Sequence, residues 1–283
     1  MRLLRVGAPG QERPAALDRA GRLLDLSGVV TEIDGSWLAG DGIAGARAAV
    51  EAGDLPELDP ATRIGPPVAR PGKVVCIGLN YSDHAAETHA EPPAEPVLFM
   101  KAPNTVVGPN DEVLIPRGST KTDWEVELAV IIGRTARYTA GEAEALACVA
   151  GYAIANDVSE REFQLERGGT WDKGKSCETF NPLGPWLVTA DEVPDPQQLA
   201  LRLWVNGEPK QQSSTKNMIF SVAELIHYVS RFMVLEPGDV INTGTPAGVA
   251  LGQPEPKPYL RPGDVIEVEI DGLGRQRQVL GQA

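Results

Sequence analysis

Three acidic side chains stand at alternate positions in Lys121-Thr-Asp-Trp-Glu-Val-Glu-Leu-Ala-Val-Ile-Ile-Gly133. In an extended chain alternate residues share a face, so Asp123, Glu125 and Glu127 point one way and Trp124, Val126 and Leu128 the other. From Leu128 to Ile132 the chain is apolar without alternation, the pattern of a strand buried on both faces. Carboxylates at the mouth of such a strand repel one another and lose hydration, and a divalent cation relieves both costs. Two acids do not complete a hard-ion site, because Mg²⁺ and Mn²⁺ take about six oxygens and keep several waters. The third candidate is Asp157, in Asn156-Asp157 at the end of a short apolar strand over 152–156. Glu125, Glu127 and Asp157 would set three negative charges against two on the ion and leave positions open to water and substrate. Two glutamates at this spacing are, taken alone, more often the solvated face of an edge strand; the buried run that follows argues against that here.

The chain has only three histidines. His84 lies in Gly78-Leu-Asn-Tyr-Ser-Asp-His84, just after a buried strand, and in a helical turn it would share a face with Glu87 at i and i+3. A carboxylate that orients an imidazole gives a general base suited to neutral pH, although a surface His beside a surface Glu has the same spacing. His89 opens the Pro-rich loop before Pro96 and is expected to be exposed. His227, on an amphipathic helix, is expected to pack or cap. Lys173-Gly-Lys-Ser176 could supply a cation but lacks the spacing of a phosphate-binding loop. Asn242-Thr-Gly-Thr-Pro-Ala-Gly248 offers hydroxyls and backbone N–H groups to a carboxylate, or is simply a tight turn.

The elements that must hold these groups are mostly strands. Strands are predicted over 73–79, 97–100, 112–115, 124–132, 152–156, 185–189 and 199–205, with Asn206-Gly207 as a hairpin turn. Helices are predicted over 141–149, from about Val158 to Arg167, and over 221–233 with Ser221 as N-cap and Glu224 three residues on. Gly168 to Ser176 is too rich in glycine and polar residues for regular structure. Residues 1–70 read as a small N-terminal α+β domain, and Gly65-Pro-Pro67 with Pro71-Gly72 as the linker to a larger domain, 71–283. The expected class is α+β, mainly β, with peripheral helices.

The composition narrows the partners. Net charge is −13, from 39 acids against 26 bases, which disfavours nucleic acid and anionic membranes and leaves an anionic substrate to be caught by local cations or a metal. No apolar run is long enough to span a bilayer, and the first residues lack the apolar core of a secretory signal. Cys76, Cys148 and Cys177 are odd in number and far apart, so a reduced cytoplasm is expected and Cys177 is read as a buried structural thiol.

Taken in order, these pieces resemble the fumarylacetoacetate hydrolase family. The matching residues are Gly78 to His84 with Glu87, Phe99-Met-Lys101, Asp123-Trp-Glu-Val-Glu127, Asn156-Asp157, Gln164, Gly174-Lys-Ser176, Pro182-Leu-Gly-Pro-Trp186, Val205-Asn-Gly207, Pro237-Gly-Asp239 and Thr243-Gly-Thr-Pro246. The resemblance implies a mixed β-sandwich roll that works as a homodimer, and Mg²⁺ or Mn²⁺ (or Ca²⁺) held by Glu125, Glu127 and Asp157. It also implies a His84–Glu87 dyad, an active-site lysine at Lys175, and substrate contacts at Gln164, Thr245, Lys101 and Arg161. The implied activity is cleavage or decarboxylation of a small anionic 2,4-dioxo acid. The run Glu160-Arg-Glu-Phe-Gln164 with Trp171-Asp-Lys-Gly-Lys-Ser-Cys177 resembles the hydrolases of 2,4-dioxo-3-deoxy sugar acids derived from L-rhamnonate or L-fuconate. Gln211-Gln-Ser-Ser-Thr215 and Gly248-Val-Ala250 depart from the family's usual pattern around the substrate. An oxaloacetate decarboxylase or a decarboxylase/isomerase of aromatic breakdown is the alternative on the same site. A non-catalytic, metal-stabilised binding protein is the alternative of another class, disfavoured by the presence of His84, Glu87 and Lys175.

Overall fold

The computed structural model describes residues 1–87 and 91–283, so His89 lies outside the described residues. Its spine is the strand Val126–Ile132, all seven residues of which are buried. This strand pairs antiparallel on one side with Val149–Asn156, Glu127 opposite Ala155, and on the other with Val240–Asn242. Val240–Asn242 in turn runs parallel to Val74–Gly78, whose other edge takes Val97–Lys101. In the opposite direction the sheet continues through Asn181–Thr189 to Arg2–Val6, Arg13–Leu17 and Leu23–Asp25. Strands from the first 70 residues and from the remainder therefore share one sheet, joined where Leu3 faces Leu187.

A second sheet of five strands packs across the first and buries Leu201, Leu203, Ile266, Val268 and Leu280 against Val126, Leu128 and Ile154. Its hairpin turns at Asn206 and Gly207, both at positive φ (52° and 79°), the backbone that a two-residue turn with this twist requires. The fold is thus mainly β with a few short helices, and among the described residues no helix is long and apolar enough to cross a membrane.

Several predicted elements end elsewhere than the pattern suggests. The strand expected from Trp124 starts at Val126, because the backbone amides before it are taken by side chains: Glu125 N donates to Asn156 Oδ1 (3.2 Å) and Val126 N to Gln211 Oε1 (2.9 Å). The helix expected over 158–167 is only Arg161–Leu165, since Ser159–Glu160 pairs with Thr122–Asp123 as a small ribbon and Gly168 and Gly169 take positive φ. The stretch expected to be irregular contains a helical turn, Asp172–Lys175, tied down by Met100 N donating to Asp172 Oδ1 (2.9 Å).

The helix Val222–Val229 carries the full capping box: Glu224 N donates to Ser221 Oγ and Ser221 N to Glu224 Oε2. It stops short of Met233 because Ser230 Oγ donates to the His227 carbonyl while Tyr138 N takes the Ser230 carbonyl. Ser221→Ala is expected to cost about 1 kcal/mol in a denaturant titration and to leave turnover unchanged, since the helix packs into the hydrophobic core and none of its residues lines the cavity described below.

Candidate active site

The buried strand and its neighbour bring the three acids together. Glu125 immediately precedes the strand Val126–Ile132, which contains Glu127, and Asp157 immediately follows Val149–Asn156; Val126 faces Asn156, so the antiparallel register sets the acids side by side. One carboxylate oxygen from each lies within 4.8 Å of the others, and all three side chains are buried. Asp123 does not join them, although strict alternation places it on their face.

Three cations crowd the acids. Lys175 Nζ donates to Glu125 Oε2 (2.8 Å) and Asp157 Oδ2 (3.0 Å), and Lys101 Nζ donates to Asp157 Oδ1 and to the Val158 carbonyl (3.0 Å). Arg161 Nη2 pairs with Glu125 Oε1 at 2.7 Å while its Nε reaches Asp123. Burial alone would raise the Glu125 pKa, but Lys175 and then Arg161 more than reverse this and hold it at about 2. Burial opposes the Lys175 charge too, yet Asp157 and Glu125 raise its pKa above the ordinary lysine value.

Glu127 is in the opposite condition. Burial, then Asp157 and Glu125, push its pKa well above the carboxylate range, and the bond it accepts is from Gly244 N (2.7 Å). Among the described residues it accepts no hydrogen bond from a cationic side chain. Counting Asp123, the centre holds four carboxylates against three cations; a divalent ion turns the remaining negative charge into a positive one. An all-oxygen donor set with one uncompensated buried carboxylate fits a hard divalent cation, held by Glu125, Glu127 and Asp157.

Glu125 and Glu127 open into a cavity of about 210 Å³ lined also by His84, Arg161, Gln164, Lys175 and Thr245, while Asp157 meets them from outside its lining. His84 sits in the helix Ser82–Glu87 with Nδ1 3.4 Å from Glu87 Oε2, the i,i+3 geometry expected of the pair. A carboxylate only accepts, so this contact makes Nδ1 the protonated nitrogen and Nε2 the basic one. Glu87 is seated in turn by Gly248 N, which donates to both of its oxygens (3.0 and 3.1 Å).

The proposed substrate contacts are placed differently from one another. Gln164 and Arg161 line the cavity and are locked together, Arg161 Nη1 to Gln164 Oε1 at 2.9 Å. Thr245 lines it with its hydroxyl donating to the Val126 carbonyl (2.9 Å). Lys101 is not part of the lining, and its ammonium reaches the site through Asp157.

Sequence reasoning missed Gln211 as a support: its Nε2 donates to Thr245 Oγ1 and to the Pro246 carbonyl, both at 2.8 Å. The stretch Gln211 to Thr215 stands out as a departure from the family's usual pattern, but an amide among polar residues does not reveal burial. It also missed the wall formed by Trp171 edge-on to Phe99, with Lys175 Nζ 4.9 Å above the Phe99 ring. Gly78 makes room for it, since a Cβ there would stand 2.5 Å from the Trp171 ring.

Two other features lie apart from the chemistry. A cleft of about 730 Å³ between Met1–Arg2, Asp18–Ala20 and Arg47–Glu51 contains none of the converging acids. Cys177 is half-buried and burial pushes its thiol up to about 11. In native protein at neutral pH it is expected to alkylate roughly 10²-fold more slowly than a free thiol, as read by peptide mass mapping with iodoacetamide before and after unfolding.

The fumarylacetoacetate (FAA) hydrolase C-terminal family matches residues 73–280. A Burkholderia cenocepacia protein, whose hydrolase name carries no substrate, is 52% identical over 278 residues, 98% of each chain. Among solved structures, the fumarylacetoacetate hydrolase of Exiguobacterium antarcticum is 36% identical with a TM-score of 0.85 over the whole of both chains. Maleylpyruvate hydrolase from Sphingobium sp. SYK-6, solved with manganese(II) and pyruvate, is 28% identical with a TM-score of 0.81, again over both whole chains.

Proposed function

The chain belongs to the fumarylacetoacetate hydrolase family, and on that premise we propose that it hydrolyses a C–C bond of a 2,4-dioxo acid to give pyruvate and a second carboxylic acid. The observation that carries this reading is that Glu125, Glu127 and His84 line one cavity, with an Asp157 oxygen within 4.8 Å of those of the two glutamates and Glu87 set against the imidazole. The three acids would hold Mg²⁺ or Mn²⁺, the latter favoured by the manganese bound to the maleylpyruvate hydrolase. When bound, such an ion supplies Lewis-acid stabilisation to the negative charge that develops on the dioxo group.

The remaining work belongs to the chain's own side chains. Nε2 of His84 takes a proton from the water that adds to the C4 carbonyl, while Glu87 holds the ring and stabilises the imidazolium. The C3–C4 bond then breaks, its electron pair passes to the pyruvate fragment, and the proton held at Nε2 is returned to the product. Arg161 and Gln164, fixed to each other, orient the substrate's polar groups, and Lys175 offsets the charge of Glu125 and Asp157. A 2,4-dioxo-3-deoxy sugar acid is the substrate we favour, on the resemblance carried by Glu160 to Gln164 and Trp171 to Cys177.

The test is pyruvate release from a panel of 2,4-dioxo acids and oxaloacetate, with Mn²⁺ or Mg²⁺ and then with EDTA. Pyruvate from a dioxo acid that ceases with EDTA supports the hydrolase. Pyruvate from oxaloacetate alone would replace it with a decarboxylase on the same acids.

A further inference from the structure

Asp123 stands two residues from Glu125, yet its carboxylate is spent elsewhere. Oδ1 accepts from Trp124 N (2.8 Å) and Ala250 N (2.7 Å); Oδ2 accepts from Leu251 N (2.9 Å) and Arg161 Nε (2.8 Å). The side chain is fully buried and does not line the cavity. Two of its bonds thus grip the loop over residues 248–252, and one grips the guanidinium beside the acids.

What lies beyond each partner gives these bonds a consequence for the chemistry. Arg161 extends to Gln164 Oε1 and to Glu125 Oε1, which places it against the acid cluster. The loop extends to Glu87: Gly248 N donates to both carboxylate oxygens, and a Cβ on Gly252 would stand 2.4 Å from the Glu87 carboxyl carbon. One buried carboxylate therefore ties the group that braces Glu125 to the loop that seats the dyad's carboxylate.

We propose that Asp123 is a positioning residue: it fixes the loop over 248–252, and through it Glu87 and His84, in register with the acid cluster. It touches neither substrate nor the proton in flight. An asparagine has nearly the same shape but a single acceptor oxygen, so it cannot accept from both the loop amides and Arg161. The loop then loses an anchor, and the error falls on the dyad. The kinetic part of this inference rests on the hydrolase reading; the structural part does not.

The experiment uses Asp123→Asn and, as an independent push on the same carboxylate, Gly252→Ala, whose clash falls on the flexible end of Glu87. With Mn²⁺ raised until the rate no longer climbs, kcat for dioxo acid hydrolysis is expected to fall at least ~30-fold in both variants. Oxaloacetate decarboxylation, which needs no activated water, should change less than ~3-fold in Gly252→Ala and fall clearly less than hydrolysis in Asp123→Asn, where Arg161 also loses a partner. In the metal-free protein, amide exchange at Ala250 and Leu251 should quicken at least ~10-fold in Asp123→Asn while the central strand keeps its protection. Equal losses in both reactions, or unchanged exchange at 248–252, would overturn the proposal. If the wild type turns over neither substrate, the hydrolase reading fails by itself, and the exchange measurement decides whether Asp123 anchors the loop. Should Asp123→Asn not fold, the ratio of the two reactions in Gly252→Ala decides whether the loop sets the dyad: an unchanged ratio sinks the proposal.

Discussion

Glu127→Gln is expected to abolish metal-dependent turnover while making the metal-free protein more stable. Glutamine preserves the shape and the bond from Gly244 N, and removes the carboxylate that burial, Asp157 and Glu125 disfavour most. Relieving one buried like-charge interaction should add on the order of 1–3 kcal/mol to the metal-free fold. The sign follows from linkage. A carboxylate whose pKa is raised on folding holds its proton in the native state, so the stability this represents is complete below the ordinary value of 4.5 and drains as pH climbs towards the raised one. The advantage of Glu127→Gln over wild type should therefore grow between pH 5 and neutrality, in melts run with EDTA.

Adding metal should reverse the order of the two proteins. Mn²⁺ at about a hundredfold excess over Kd stabilises a binding-competent fold by roughly 2.7 kcal/mol, a rise of several degrees in Tm for a chain of this size. Glutamine lacks the anionic oxygen, so the variant's melt should hardly move, and its turnover should fall about 10³-fold. A variant that is less stable in EDTA than wild type, or that keeps a full Mn²⁺ shift, would show that Glu127 is compensated in some other way. Activity alone could not separate these cases, because a misfolded variant is also inactive. The opposite movement of stability and turnover is what identifies a ligand acid.

The local part of this site is legible in the chain because it obeys two short periods. Glu125 and Glu127 share a face by alternation, and His84 and Glu87 by the helical turn, so each pair is visible in a window of a few residues. That Asp157 would meet the first pair depends on the register of Val126–Ile132 against Val149–Asn156; the run of polar residues after an apolar strand marks the strand's end and hence the place. Asp123 shows the limit of the same reasoning. Alternation groups it with the glutamates, but the amides of Ala250 and Leu251 compete for its oxygens from more than a hundred positions away, and no local pattern records them. Gln211 fails to show for the same reason: one buried amide in a strand of mostly polar residues, otherwise exposed or half-buried, looks like its neighbours. Lys175 was visible as a lysine in a glycine-rich stretch, but the helical turn that aims it depends on the distant Met100 amide.

His84→Ala and Glu87→Gln should divide the two reactions open to this cavity. Hydrolysis needs a base to activate water, whereas loss of CO₂ from oxaloacetate needs only that the developing enolate be stabilised, which the acid cluster and its ion provide without the dyad. Removing the imidazole is expected to lower kcat for dioxo acid hydrolysis by about 10³-fold, within the range found for a general base, with KM changed much less. Glu87→Gln should cost somewhat less, about 10²-fold, because an amide oxygen in the place of Oε2 can still accept from both Gly248 N and the imidazole Nδ1–H but carries no charge to stabilise the imidazolium. Oxaloacetate decarboxylation should stay within about threefold of wild type in both variants. If both reactions fall together, the dyad serves substrate binding and not water activation, and hydrolysis would then require another base on the cavity wall. Because the carboxylate that seats His84 is itself held by a loop amide, the larger loss for His84 than for Glu87 is the ordering that a base and its orienting partner must produce.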